Sequence, residues 1–85
     1  MSTMLRSFVR LDHVNQHSIC GNGESIKEAV NSIAYCRDGN TLSIWELVED
    51  CERLNIDLEV VVYEENHGEH QYIVRAGDLP KIRAE

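Results

Sequence analysis

The stretch from Ser43 to Ala76 constrains the fold of this chain more than any other, because two helix-start signals coincide at its beginning and a β-branched run sits at its centre. Ser43-Ile44-Trp45-Glu46 has the form of a capping box, in which the serine hydroxyl accepts from the amide three residues on and the glutamate reaches back to the cap amide. Leu42 and Leu47 stand at the spacing of a hydrophobic staple around the same cap. Ile44, Leu47, Val48, Cys51 and Leu54 then recur at helical spacing, with Glu46, Glu49, Asp50 and Glu52 off that stripe. Asn55 to Asp57 breaks the pattern, and Glu59-Val60-Val61-Val62-Tyr63 is β-branched and aromatic, which suits a pleated surface. Polar residues from Glu64 to His70, with Gly68 among them, predict a mid-length loop before Gln71-Tyr72-Ile73-Val74-Arg75 resumes a strand.

The rest of the chain is less sharply written. Leu5, Phe8, Val9, Leu11 and Val14 fit no single period cleanly: a helix would group Leu5, Phe8, Val9 and Asp12 at i, i+3, i+4 and i+7, and a strand from Met4 to Val14 is the alternative favoured, since a lone hairpin is marginally stable and gains from a third strand. Asn15 to Glu24 reads as a loop, with Gly21-Asn22-Gly23 as the breaker. Ser25-Ile26-Lys27-Glu28 is another capping box, and Ile26, Ala29, Val30 and Ile33 give a helix of about three turns. Asp38-Gly39-Asn40 is expected to end it. Gly77-Asp78-Leu79-Pro80 signals a turn ahead of a frayed tail.

The expected fold is therefore α+β, with two helices packed on a small antiparallel sheet of two or three strands. It forms a single small domain: an N-terminal strand and loop over 1–24, two helices over 25–54, a β-hairpin over 58–76 and a tail over 77–85. Val60, Val62 and Ile73 are the candidate strand contributions to the core, and alternation leaves open whether Tyr72 and Val74 share their face.

From Ser43 to Val62 the string Ser43-Ile44-x-Glu46-Leu47-Val48-x-x-Cys51-x-x-Leu54-x-x-Asp57-x-Glu59-Val60-x-Val62 resembles a pattern found in short bacteriophage and prophage proteins of unknown function. In those the signature runs from a capping Ser or Thr through Glu-Leu-aliphatic to Leu-x-x-Leu-Pro-x-Asp-x-x-Val-x-Val. This chain departs from it at Cys51, where the pattern has Leu, and at Asn55, where it has Pro. Every position of the signature has a folding reason, so the resemblance implies a phage or prophage accessory setting, in the cytoplasm of a bacterial host, and transfers no functional residue.

Charge narrows the function. Eight basic and 15 acidic residues among 85 give a net charge of -7, which repels phosphate backbones and argues against direct nucleic-acid binding by counterion release. Nine of those acids, against Arg53 alone, fall between Glu46 and Glu69, a local net charge of -8. A host protein with a basic surface is the matching partner. The candidate contact residues are Trp45, Glu49, Asp50, Glu52, Glu64, Glu65 and Glu69, and a homodimer through a free strand edge is compatible with the same reading. The expected function is a non-enzymatic phage-type inhibitor of a host protein or defence complex, such as an anti-CRISPR or anti-restriction factor that imitates nucleic acid.

The rival reading is a small metal-binding regulator. His13-x3-His17-x2-Cys20 brings imidazoles and a thiol to short spacing, with His67 or His70 as a further ligand. Cys20, Cys36 and Cys51 form no C-x-x-C pair and read as reduced thiols, Cys51 on the apolar stripe of its helix. No nucleophile elbow, phosphate-cradling loop or dinucleotide fingerprint is present, and neither an enzyme nor a cofactor is expected. No apolar run approaches the roughly 18 residues of a membrane span, and the first ten residues lack the apolar core of an export signal.

Overall fold

The protein is described by a computed structural model over residues 4–84, with the backbone alone described for residues 67–70. Its elements run β1 (Leu5–Leu11), β2 (Val14–Gly23), α1 (Ile26–Asn31), β3 (Ala34–Arg37), β4 (Asn40–Ser43), α2 (Ile44–Leu54), β5 (Leu58–Glu64), β6 (His67–Arg75), a 3-10 turn (Ala76–Asp78) and α3 (Leu79–Ala84). The strands form one antiparallel sheet in the order β4-β3-β2-β1-β5-β6. The fold is α+β as expected, but the sheet has six strands where two or three were expected.

Alternation along the central strands sorts the two faces. Val9 pairs with Val60, and Val60 with Val74; all three join Ala29, Val30, Ile33, Ile44, Leu47, Val48, Cys51 and Leu79 in one core between the sheet and the helices. Burial of this set supplies the main drive to fold, at about 25 cal/mol for each Å² of apolar surface removed from water. Ser7 lies on the same inner face, only 2% exposed, and its hydroxyl donates to the Ala29 carbonyl at 2.8 Å, so β1 and α1 are joined by a bond that satisfies the buried hydroxyl.

The capped helix stands where it was anticipated, and β5 and β6 pair as a hairpin. Ser43 N–H donates to Glu46 Oε2 at 3.0 Å at the start of α2, and Asn55 ends the helix in the left-handed region at φ 58°. At α1, Ser25 Oγ accepts from Glu28 N–H at 3.2 Å, while the Glu28 carboxylate accepts from Glu24 N–H, one residue upstream of the usual capping box.

Five expectations need correction. The stretch 15–24 is not a loop but most of β2, joined to β1 by the two-residue turn Asp12-His13, whose φ angles of 48° and 67° suit a hairpin turn that follows the twist of its strands. Gly21 and Gly23 are strand residues against which α1 packs so closely that a Cβ would lie 2.5 Å from Ser32 Oγ or Glu28 Cβ. Asp38-Gly39 likewise turns a hairpin, β3 to β4, with φ of 53° and 82°, so α1 has six residues, and its apolar Ile33 lies beyond its end. The turn between β5 and β6 is the pair Glu65-Asn66, shorter than the expected loop. Ile73 pairs with Val61 and faces away from the helices, 53% exposed, and Val74 takes the inward place. The tail is also ordered into α3, where Leu79 is fully buried and Ile82 packs against the core.

Candidate functional site

The acidic side chains singled out by sequence do not form one free array. Asp50 accepts from Arg37 and, at 2.8 Å, from Arg53, and these hydrogen bonds hold its carboxyl below the usual carboxylate range. Glu65 is bonded by Arg6 at 2.8 Å, and Glu64 also has an interaction partner. Arg6 and Arg37 are correspondingly held further toward their charged forms. Glu49 and Glu52 stay exposed on the outer side of α2. The side chain of Glu69 lies outside the described residues, as do those of His67 and His70.

Trp45 is half-buried rather than free. Its Nε1–H donates to Asn31 Oδ1 at 3.2 Å, and the Arg83 guanidinium sits 4.9 Å from the ring centroid. It therefore joins α2 to the end of α1 and to α3, a structural use that leaves only part of the ring for a partner.

The proposed metal set comes apart. His13 occupies the β1–β2 turn, whereas His17 and Cys20 lie further along β2 beside Phe8. Among the described residues, the ligating group that converges within 4.8 Å is His13, Asp57 and Glu59. These charges are already engaged: His13 Nε2 stands 3.5 Å from Asp57, and Arg10 Nε 3.7 Å from Glu59. A cation entering there would meet the guanidinium of Arg10 as well as the carboxylates.

A surface that sequence reasoning missed lies on the sheet face opposite the helices. Cross-strand pairing sets Cys20, Phe8, Val61 and Ile73 in one row across β2, β1, β5 and β6. Phe8 is 8% exposed and Val61 1%, although neither belongs to the core under the helices. The His17 ring stands 4.5 Å from that of Phe8, centroid to centroid, and Tyr63 meets Phe8 edge-on at 6.0 Å. Arg6, Phe8, His17, Cys20 and Tyr63 border a shallow hollow of about 290 Å³. On one side of the apolar row lies Asn15-Arg10-Glu59-Arg75, on the other Asn22-Arg6-Tyr63-Gln71. Arg10 Nε is buried there without a hydrogen-bond partner.

Cys51 is buried on the apolar stripe of α2, and that burial raises its pKa, which makes the thiol unreactive. Burial likewise pushes the Tyr35 hydroxyl up. No described helix is long and apolar enough to cross a membrane. The chain matches no protein-family model, no curated protein and no solved structure.

Proposed function

We propose that this chain is a non-enzymatic accessory protein of the phage or prophage kind, acting in the cytoplasm of a bacterial host, that binds a basic surface on a host protein and inhibits it. The observation that supports this is the outward side of α2. Arg37 and Arg53 pair with Asp50, and the helix offers Glu49 and Glu52 to solvent beside it. A local excess of acidic charge accelerates encounter with a basic partner and helps to orient it, at the cost of sensitivity to salt.

The pairing of Glu65 with Arg6 narrows the reading from an extended phosphate mimic to a compact acidic helix face. Defence complexes that handle nucleic acid remain the natural class of target, since their grooves carry the basic charge that such a face fits. Affinity capture from host lysate tests the reading, comparing wild type with Glu49→Lys/Glu52→Lys at low and moderate salt. Loss of the captured protein in the variant, with an unchanged melting temperature, is expected. Undiminished capture by the variant refutes an acidic contact.

A further inference from the structure

The open face of the sheet carries an inference independent of the acidic surface. We propose that this face is a self-complementary interface with a second copy of the chain, the two sheets stacking face to face about a twofold axis parallel to the strands and lying between β1 and β5.

Such an axis places β1 of one copy over β5 of the other, and β2 over β6. Each row then meets its own reverse, as an isologous contact requires. In the apolar row, Phe8 and Val61 are already covered within each copy, and the contact falls to the exposed Ile73, which faces the exposed Cys20 of the second copy. Ile73 thereby acts as a knob for the hollow that Phe8, His17 and Cys20 border.

In the charged row, Arg10 faces Glu59 of the second copy and Glu59 faces its Arg10, so the ion pair that each copy already makes at 3.7 Å is met by its own reverse. In the third row, Arg6 faces the ring of Tyr63, an attractive cation–aromatic arrangement, and Asn22 faces Gln71. The charges choose this axis. A twofold axis perpendicular to the strands would instead set Arg10 over Arg6, two cations against each other.

Four strands about 4.8 Å apart and some seven residues long at about 3.4 Å each give a footprint of roughly 450 Å² in projection. Side-chain relief enlarges this toward the roughly 800 Å² of accessible surface that each partner buries in a standard interface. An area of this size is enough for a specific but reversible contact, for which a Kd on the order of micromolar is ordinary. In it both α2 helices face outward, so the dimer carries two acidic faces.

Sedimentation equilibrium over about 1–300 µM, a range that brackets a micromolar Kd, reads the result. Wild type is expected to dimerise. Arg10→Glu alone and Glu59→Arg alone should each be at least about tenfold weaker, because each places like charges across the interface. Mixed in equal amounts, the two variants should form a heterodimer. The carboxylate introduced at position 10 of one variant then meets the guanidinium introduced at position 59 of the other, while the unaltered Glu59 of the first meets the unaltered Arg10 of the second. Ile73→Lys, at an exposed position that folding does not require, should remain monomeric. A monomeric wild type, a mixture that fails to pair, or an Ile73→Lys variant that dimerises like wild type overturns the proposal.

Discussion

Replacing Gly21 with Ala tests how closely α1 approaches the sheet. The position is ordinary extended strand without a positive φ, so alanine meets no backbone strain, and the effect isolates steric contact. The added Cβ would lie 2.5 Å from Ser32 Oγ, 2.8 Å from the Ala29 carbonyl oxygen and 2.8 Å from Ile33 N. Two of these three atoms are backbone, so rotating one side chain brings no relief and the end of α1 must shift. That movement loosens Ala29, Val30 and Ile33, all of them in the core.

Overpacking of this kind costs about 1–3 kcal/mol, and the backbone contacts put this site in the upper part of that range. Restricting the unfolded chain returns roughly 0.4–1 kcal/mol. The net loss is about 2 kcal/mol, a fall in Tm of roughly 8–16 °C for a domain of this size. Gly77→Ala is the control, since nothing lies within 4 Å of its added Cβ, and its stability should hold or rise slightly. Paired urea and thermal melts measure both. A Gly21→Ala protein within about 0.5 kcal/mol of wild type, below the range for overpacking, would refute the close packing of α1 on β2.

Leu79→Ala should cost about 2–4 kcal/mol in urea unfolding, because this fully buried side chain anchors α3; a change below about 1 kcal/mol would mean the tail is not part of the core. Ser7→Ala should lose about 1 kcal/mol by the same assay, the value of one buried hydrogen bond to the Ala29 carbonyl. Asp50 has a folded pKa below its ordinary value of 3.8, so the stability that its arginine partners confer is present above that value and is lost as pH falls through the folded value. The stability difference between wild type and Asp50→Asn should therefore stay level from neutral pH down to about 5 and shrink below about 4, and a difference persisting at lower pH would contradict the ion-pair origin.

The legible parts of the sequence were those with redundant signals. The capping box and staple at Ser43 mark α2, and the β-branched run Val60–Val62 marks β5, since each is specified by several residues at once. β2 was illegible because its ten residues lack apolar alternation: its inner positions include Gly21 and Gly23, which are small to admit α1 rather than to break the chain. Asp38-Gly39 was ambiguous for a physical reason, since left-handed backbone ends helices and turns hairpins alike.

The face of Ile73 depended on register, and a one-residue choice inverts an entire strand. Among the candidate site residues, sequence located the acids but not their arginine partners, because Arg37 and Arg6 reach Asp50 and Glu65 only through tertiary pairing. The open-face row was hidden for the same reason. Cys20, Phe8, Val61 and Ile73 come from four strands and share no local pattern.

The claim that the helix side engages the host partner is tested most directly by amide chemical-shift mapping of the labelled chain as the captured partner is added. Shifts concentrated between Glu46 and Arg53, around Glu49 and Glu52, that fade as salt is raised are expected. Shifts centred on Phe8, Val61 and Ile73, with α2 unmoved, would contradict it.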